Sequence, residues 1–422
     1  MSSRRHGHPL RVAFLAYRGN PLCGGQGVYT RHLTRELVAQ GHEVTVFGGP
    51  PYPVLDDGVA FVPVPSLDLY RQPDPFRSPR LREFRSWVDV LEFSLVCAAG
   101  FPEPLTFSLR ARRELAARLG SFDVVHDNQC LGTGLMGMVD DGWPVLATVH
   151  HPITVDRDLE LRGAGEWRRR LILRRWYGFV RMQVRVARRL PRIVTVSESS
   201  LSDIATHMGV DPGRMAVVPV GVDHSRFGPR PGVPKVPGLL VTTASADVTM
   251  KGLVPLLEAL AKARTERHAE LVVVGTPRPH SGAEATIDRL GLEGAVRFVS
   301  GLSDEALVRL HAQAELAVVP SLYEGFSLPA VEAMACGVAV VATTGGALPE
   351  VVGRSGKTAL LVPPGDVEAL AAAIGLALDD GALRARLGRA GRARALERFT
   401  WQATAEGTVV QYRRLLARHR QC

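Results

Sequence analysis

Residues 316–337, LAVVPSLYEGFSLPAVEAMACG, decide the fold that the sequence predicts. The segment begins with an apolar, β-branched run, Leu316–Val319, that is typical of a buried strand. A helix is predicted to follow, because Ser327 is a residue type that favours the N-cap and Pro329 is tolerated in a first turn. Open α/β sheets bind ligands where a strand leads through a loop into a helix N-terminus, which also attracts anions. The segment therefore predicts a parallel α/β sheet with an anion-binding loop.

Two glutamates of this segment, Glu324 and Glu332, are separated by seven residues. Glu324 lies in the predicted loop and Glu332 in the second turn of the predicted helix, so both can face one bound molecule. Two carboxylates beside an anion-binding helix end suit a ligand with both hydroxyl groups and phosphate, such as a nucleotide sugar. The alternative is that both are solvated charges. Glu332 stands among Ala, Val and Met, however, and a buried carboxylate needs partners such as ribose hydroxyls.

The remainder of the chain alternates between predicted strands and helices. Residues 10–16 form a strand, residues 28–40 a helix and residues 43–47 a second strand, which is a βαβ unit typical of a parallel sheet. The alternation restarts after residues 220–238, where Pro and Gly indicate a linker. Because 422 residues exceed one ordinary core, we predict two α/β domains and a terminal helix. The predicted divisions are residues 1–220, 221–399 and 400–422.

Three longer helical patterns are present. Residues 81–98 follow a loop interrupted by prolines, residues 166–190 are rich in arginine, and residues 367–418 are helical with a break near Phe399. The 166–190 pattern mixes arginines with aliphatic and aromatic residues, so it can lie on an anionic membrane. The alternative, which we favour, is that its apolar face packs on its own domain while the arginines are solvated.

Composition and charge limit the class of protein. Hydrophobic residues make up 46% of the chain, which argues against global disorder. Five scattered cysteines without a C-x-x-C spacing argue against a disulfide framework or a zinc site. No signal peptide and no apolar run of membrane-spanning length is visible, so we expect a cytoplasmic protein. The net charge of +9 suits a polyanion, but no nucleic-acid-binding module is visible and no nucleic acid partner is expected.

Residues after other predicted strands supply further candidates. Gly24 and Gly25 follow the first strand, where backbone N–H groups can approach a phosphate or sugar, or can simply form a tight turn. Thr30 stands where a dinucleotide fingerprint requires glycine. His150 follows a later strand of the same half, and Lys251 follows the first strand of the second half. A hydrogen-bonding imidazole and a phosphate-neutralising ammonium fit these positions; a structural histidine and an ordinary surface lysine are the alternatives.

Several short motifs occur in a fixed order along the chain. They are the Gly24-Gly25 turn with GHEVT at 41–45, TVHHP at 148–152, VSES at 196–199, VPVGVD at 218–223, KG at 251–252, FVSG at 298–301, and the Glu324–Glu332 pair with MACG at 334–337. From about residue 10 to residue 399 the chain thereby resembles the retaining glycosyltransferases of family four. The resemblance implies an α/β GT-B fold, in which two Rossmann-like domains face each other across a cleft and a C-terminal helix crosses back to the N-terminal domain.

The resemblance also implies roles for individual residues. Catalytic roles are implied for His150 near the anomeric centre, for Lys251 on the diphosphate and for Glu324 near the transferred sugar. Glu332 would hold the nucleotide ribose through both hydroxyls. The other implied donor-binding residues are Gly24, Gly25, Gly325, Phe326, Ser327 and Leu328. The implied acceptor-side candidates are His151 and Asn128.

The implied reaction moves a sugar from a UDP- or GDP-sugar to a small-molecule, glycan or lipid acceptor, with neither cofactor nor metal. The family usually has an arginine five residues before the lysine, and Ala246 occupies that position here. Another cation, or a larger share from Lys251 and the helix dipole at Ser327, would then stabilise the leaving diphosphate. Two other functions are compatible with the sequence. One is a nucleotide-sugar epimerase or phosphorylase of the same fold, and the other is a non-catalytic protein that binds a membrane surface through residues 166–190.

Overall fold

The computed structural model describes residues 8–19, 25–71, 73–243, 249–276 and 282–420. The chain divides into two compact units. The first comprises Met1–Val196, Leu201–Val218 and Thr404–Cys422, and the second comprises Ser197–Ser200 and Pro219–Ala403. The last helix of the chain therefore belongs mostly to the first unit.

Each unit is built around one parallel β-sheet. The strands of the described residues are β1 (Arg11–Ala16), β2 (Glu43–Gly48), β3 (Ala60–Pro63), β4 (Val124–Asn128), β5 (Val145–Val149), β6 (Arg192–Thr195), β7 (Met215–Val217), β8 (Leu239–Thr243), β9 (Glu270–Val274), β10 (Val296–Val299), β11 (Leu316–Val319), β12 (Ala339–Thr343) and β13 (Leu360–Val362). In the first unit their order is β3-β2-β1-β4-β5-β6-β7, and in the second it is β10-β9-β8-β11-β12-β13. Neighbouring strands pair in parallel in both sheets.

Helices connect most successive strands, but β2 leads to β3 and β7 to β8 without one. In chain order they are α1 (Gly25–Ala39), α2 (Trp87–Cys97), α3 (Glu103–Ala116), α4 (Gly134–Asp140), α5 (Ile153–Gly163), α6 (Trp167–Trp176), α7 (Phe179–Arg189), α8 (Glu198–Asp203), α9 (Leu253–Ala263), α10 (Gly282–Leu290), α11 (Asp304–Gln313), α12 (Leu328–Ala335), α13 (Leu348–Val352), α14 (Val367–Asp379), α15 (Gly381–Arg398) and α16 (Trp401–His419). No helix of the described residues is long and apolar enough to cross a membrane.

The central strands are continuous apolar runs because both faces of each sheet are covered. Every residue of β5 and of β12 is buried. Successive side chains of a strand point to opposite faces, so this burial requires a layer on each side. In the first unit Leu115 of α3 and Leu135 of α4 share a core with Leu15 of β1. In the second unit Leu257 of α9 and Ile374 of α14 share a core with β11 and β12.

Each sheet has one point at which the strand order reverses. In the first unit it lies between β1 and β4, and in the second between β8 and β11. Open parallel sheets bind ligands beyond the carboxyl ends of the strands at such a switch point. The loops that follow these four strands are therefore the first places to look for a site. The predicted GT-B class is confirmed at the level of two Rossmann-like units.

The predicted helix over residues 166–190 is wrong as a single element. The chain forms α6 and α7 instead, with a break at Tyr177 and Gly178. Glycine within a helix costs about 1 kcal/mol relative to alanine, so Gly178 favours an interruption. The α6 helix leaves Trp167, Leu171 and Ile172 exposed, whereas Val186 and Ala187 of α7 are buried.

The predicted break near Phe399 is confirmed, but a second break at Asp380 divides the long C-terminal pattern further. Asp380 caps α15, and its side chain accepts a hydrogen bond from the N–H of Leu383 at 2.8 Å. Aspartate favours this position because its carboxylate satisfies a free N–H group at the start of a helix. In the 81–98 pattern only a 3-10 turn, Leu81–Glu83, precedes α2.

Candidate active site

The second unit brings Lys251 and Glu324 together at its switch point. Lys251 ends a short turn, Thr249–Lys251, after β8, and Glu324 lies in the loop after β11. Lys251 Nζ is 2.7 Å from Glu324 Oε1, and the two side chains are 30% and 11% exposed. The sheet edge therefore carries an ammonium group held by a largely buried carboxylate.

Glycine allows the two loops to approach. A Cβ atom on Gly252 would lie 2.0 Å from the carbonyl oxygen of Pro320, and Gly252 has a φ of +64°. Beside it, the N–H of Leu322 donates to the carbonyl of Met250 at 2.7 Å. Lys251 can contact Glu324 because the residue after it has no side chain.

Further contacts hold the loop around Glu324. Ser321 Oγ donates to Glu324 Oε1 at 2.7 Å, and the hydroxyl of Thr343 donates to the carbonyl of Ser321. The N–H of Ala347 donates to the carbonyl of Glu324 at 2.8 Å. Glu324 is therefore a buried and fixed carboxylate, which excludes the alternative of a solvated loop charge.

Ser327 stands at the N-cap position of α12, but its side chain does not cap the helix. The predicted capping contact is wrong because its backbone is left-handed, with a φ of +89°, whereas a capping residue has extended backbone. Its Oγ atom is buried, and no hydrogen-bond partner for it occurs among the described residues. The first N–H groups of a helix also lack intrahelical partners. This end of α12 therefore offers several polar groups to a ligand.

Glu332 lies in the second turn of α12 and is half-buried. Within the described part of the chain, no hydrogen bond or ion pair holds its carboxylate. Burial raises the pKa of Glu332 to about 7, and the negative charge of Asp304 adds to the effect. Burial destabilises the charged form of this carboxylate, and no described group offsets that cost. The carboxylate is therefore suited to accept hydrogen bonds from a ligand.

The other predicted residues of this loop have structural contacts. The carbonyl of Gly325 accepts hydrogen bonds from Ser197 Oγ at 2.7 Å and from Ser200 Oγ at 3.1 Å, and both serines belong to the second unit. Phe326 is buried against Phe399, with ring centroids 5.4 Å apart. Leu328 begins α12 and is half-buried. Their roles in donor binding stay predictions.

Two predicted positions lie outside the described residues. They are Gly24 and Ala246. The glycine turn is therefore described only from Gly25, which is exposed and begins α1. No cluster of three or more His, Cys, Asp or Glu side chains that could hold a metal ion occurs in the described ranges.

In the first unit, His150 and Asn128 meet at the ends of β5 and β4. His150 Nε2 is 2.9 Å from Asn128 Oδ1, and the ring of Tyr29 contacts the imidazole edge-on at a centroid distance of 4.7 Å. Burial and, to a smaller extent, the nearby His151 lower the pKa of His150 to about 3. The imidazole is therefore neutral at physiological pH and serves as a hydrogen-bonding group.

The two acceptor-side candidates differ in exposure. Asn128 is 1% exposed and bonded to His150. The side chain of His151 is 31% exposed, and its Nε2 lies 2.9 Å from Asp156 Oδ2 of α5. Neither contact tests the predicted role in acceptor binding, which stays a prediction for both residues.

Three residues of these two sites were not predicted from the sequence. They are Ser321, which bonds Glu324, and Tyr29 and Gln129, which contact His150 or its loop. One signal was available for Gln129, because it extends a run of polar residues at the end of an apolar strand. No local signal marks Tyr29, since its neighbours in α1 resemble those of any buried helix.

Two family models match the chain in succession. The model described as Glycosyltransferase Family 4 matches residues 23–226, and the model described as Glycosyl transferases group 1 matches residues 234–394. The boundary between the matches falls in the predicted linker.

A similar protein supports the same family, and solved structures support the fold. The MMP alpha-(1->4)-mannosyltransferase of Mycolicibacterium hassiacum is 54% identical over 414 residues, which cover 98% of this chain and 100% of the relative. Sucrose-phosphate synthase from Thermosynechococcus elongatus has a TM-score of 0.73 and 24% identity, covering 97% of this chain and 99% of its own. HepE of Anabaena in complex with UDP-glucose has a TM-score of 0.68 and 18% identity, covering 95% of this chain and 98% of its own. The chain belongs to the family four glycosyltransferases.

Proposed function

We propose that the protein transfers mannose from a nucleoside diphosphate mannose to a 4-hydroxyl group of a saccharide, with an α-(1→4) linkage in the product. The observation that carries this proposal is the 54% identity to the M. hassiacum mannosyltransferase over the full length of that relative. The paired Lys251 and Glu324 at the switch point support the donor half of the reaction.

The second unit binds the nucleotide in this proposal. The carboxylate of Glu332 accepts hydrogen bonds from the ribose hydroxyls, which compensates the burial that raises its pKa. The diphosphate lies at the N-terminus of α12, where free N–H groups and the hydroxyl of Ser327 donate to its oxygens. Uridine and guanosine diphosphates both satisfy these contacts.

Departure of the nucleoside diphosphate is the step that the protein must assist most. Negative charge develops on the phosphate as the bond to the sugar breaks, and Lys251 supplies a positive charge there. Glu324 keeps the ammonium group in place through the 2.7 Å contact. The family resemblance assigns His150 a hydrogen-bonding role toward the substrate, and its neutral imidazole suits that role.

The proposed reaction proceeds with retention and without a metal ion. An α-linked nucleoside diphosphate donor that gives an α-linked product keeps its anomeric configuration, which NMR of the product determines directly. Transfer should continue in excess chelator, because Lys251 and the helix end carry the charge stabilisation. Loss of transfer in chelator, restored by a divalent cation, would contradict metal independence.

The central experiment compares GDP-mannose, UDP-mannose and UDP-glucose as donors with a short α-(1→4)-mannoside as acceptor. The expected result is release of nucleoside diphosphate that depends on the acceptor, with one added mannose in α-(1→4) linkage. A different sugar or linkage in the product would overturn the proposal. Conversion of the donor without acceptor would indicate an epimerase, and a requirement for inorganic phosphate would indicate a phosphorylase.

Helix α6 supports a further proposal of peripheral contact with an anionic membrane. Trp167 is 70% exposed, and Leu171 and Ile172 are 46% and 57% exposed, between arginines on both sides in the sequence. Exposed apolar side chains can enter a membrane interface while neighbouring arginines pair with its anionic headgroups. Sedimentation with anionic vesicles should be lost in the variant Trp167→Ala/Ile172→Ala, and neutral vesicles should not bind either protein. Equal sedimentation of wild type and variant would contradict the proposal.

A further inference from the structure

We propose that Asn128 and Gln129 are positioning residues that hold His150 in one tautomer and its backbone in one place. Both follow the apolar residues of β4, and they are 1% and 2% exposed. The consequence for catalysis rests on the proposed function, in which His150 forms a hydrogen bond to the substrate.

Gln129 holds the backbone of the histidine loop. Its Oε1 accepts a hydrogen bond from the N–H of His150 at 2.7 Å, and its Nε2 donates to the carbonyl of His151 at 2.9 Å. One primary amide thus pairs with the backbone on both sides of the His150–His151 peptide bond. This bidentate pairing restricts the loop as an adjacent strand would.

The backbone of Gln129 is itself constrained. Gln129 and Leu131 have left-handed φ values of +55° and +50°, which residues with a Cβ atom seldom adopt. Asp127 stabilises this turn, because its Oδ2 accepts a hydrogen bond from the N–H of Leu131 at 3.0 Å. The unusual backbone directs the side chain of Gln129 to the histidine loop instead of along the sheet. Such a conformation persists where surrounding contacts determine it, and it is frequent at functional sites.

Asn128 determines the tautomer of His150. Its Nδ2 donates to the carbonyl of Gln26 at 3.1 Å and to Thr30 Oγ1 at 3.0 Å. Because a carbonyl oxygen can only accept, the amide atom that faces Gln26 must be the nitrogen and not the oxygen. The remaining amide oxygen, Oδ1, faces His150 Nε2 and must accept from it. His150 therefore carries its proton on Nε2, and Nδ1 of the neutral ring is an acceptor.

The titratable groups around the ring do not supply an alternative charge. Tyr29 of α1 contacts the ring, and burial raises its pKa to about 12. His126 of β4 is close enough to interact, and burial lowers its pKa to about 3. His151 in the same loop pairs with Asp156 of α5. Tyr29 and His126 remain neutral from about pH 5 to about pH 9, whereas burial raises the pKa of Asp127 of β4 to about 7, so His150 is followed by the ¹⁵N signals of its own ring.

The variant Asn128→Asp gives the most direct test, because a carboxylate at 2.9 Å from Nε2 stabilises the imidazolium ion. NMR of ¹⁵N-labelled protein should show wild-type His150 as the neutral Nε2–H tautomer throughout this pH range. In the variant the pKa of His150 should rise into this range, and the kcat of the variant relative to wild type at the same pH should fall as the pH falls through that pKa. A wild-type Nδ1–H tautomer, or a variant whose His150 does not titrate, would overturn the assignment to Asn128.

Gln129→Ala tests the backbone clamp against a matched control. Gln183 is equally buried and donates to the carbonyl of Cys130 at 3.1 Å, in the same turn but without contact to His150. Gln129→Ala should lower kcat by about 10²-fold with little change in KM, on the scale of a misplaced reacting group. Gln183→Ala should keep kcat near wild type. Equal losses in the two variants would show a structural role only.

Two further variants distinguish positioning of His150 from a general structural role of Gln129. In a His150→Ala background, Gln129→Ala should cause no further loss, because the group that it positions is absent; additive losses would contradict the proposal. Gln129→Glu keeps the acceptor for His150 N–H but removes the donor to His151, so its kcat should lie between wild type and Gln129→Ala. If wild type transfers no mannose, the proposed function fails, whereas the NMR tautomer and the Asn128→Asp titration still decide the positioning.

Discussion

The ammonium group of Lys251 is held by Glu324, and it neutralises the departing diphosphate in the proposed reaction. The Lys251 side chain is 30% exposed, so the pair contributes little to stability, about 0–1 kcal/mol. Its main effect is to hold the positive charge of Lys251 in position. Both residues were predicted from the sequence, but their contact was not, because 72 residues separate them in the chain.

Lys251→Ala should lower kcat by about 10²-fold or more, because one preorganised charge at the leaving group is lost. Steady-state kinetics with saturating donor and acceptor measures this. Lys262→Ala is the matched control, since Lys262 is also ion-paired, to Glu368, but is 49% exposed on α9. Unchanged turnover of Lys251→Ala would rule out the assigned role.

Glu332 gives a prediction in which stability depends on pH. Its folded-state pKa of about 7 lies above the ordinary value of 4.5, so the folded protein binds this proton more tightly than the unfolded chain. The stability it contributes is present below about pH 4.5 and is lost as pH rises through about 7. Glu332→Gln should therefore be more stable than wild type at pH 8, by about 1–3 kcal/mol, and similar at acidic pH.

Denaturant titrations of both proteins across this pH range measure the difference. Glu305→Gln on α11 is a suitable control, because the Glu305 side chain is 76% exposed.

The same Glu332→Gln variant should bind the nucleoside diphosphate about tenfold more weakly by calorimetry, since a charge-assisted hydrogen bond to ribose is lost. Equal affinity in variant and wild type would exclude Glu332 from the ribose site.

At the scale of elements, local patterns identified most strands but not every helix. The α3 helix, Glu103–Ala116, was missed, and α6 and α7 were merged because both carry the same mixture of Arg and apolar residues. The short strands β7 and β13 have three residues each, too few to show a period of their own. Their pairing with neighbouring strands, and not local sequence, determines that they are strands.

The C-terminal helix α16 contributes a buried hydrogen-bond chain to the first unit. Tyr412 hydroxyl lies 2.6 Å from His126 Nδ1, and His126 Nε2 lies 2.7 Å from Thr148 Oγ1. Tyr412→Phe should destabilise the first unit by about 1–3 kcal/mol, because a fully buried imidazole nitrogen loses its partner. Thermal unfolding measures the loss. Val410→Ala on the same helix, with Val410 45% exposed, should change stability by less than about 0.5 kcal/mol; a similar loss in both variants would contradict the prediction.

At the scale of the whole molecule, the two units have separate cores and separate switch points. The nucleotide is proposed to bind the second unit, so its effect on local stability should be greatest there. Saturating GDP or UDP should raise the melting temperature and slow amide exchange in residues 321–332 and in the Thr249–Lys251 turn. Hydrogen exchange with mass spectrometry resolves these segments. Protection confined to the first unit would contradict the assignment of the nucleotide site.

The amino-acid sequence by itself determined the alternation of strands and helices, the division into two α/β halves, and the residue types at the strand ends. These features are local, because apolar periodicity and turn residues report burial and chain direction within a few positions. Only the tertiary structure decided which of those residues act together. The Lys251–Glu324 pair and the Nε2–H tautomer of His150 each depend on side chains brought together from the ends of different strands, and the residue type of Ser327 does not indicate its left-handed backbone. Contacts between distant segments leave no periodic signal in the chain, so the folded geometry was needed to find them.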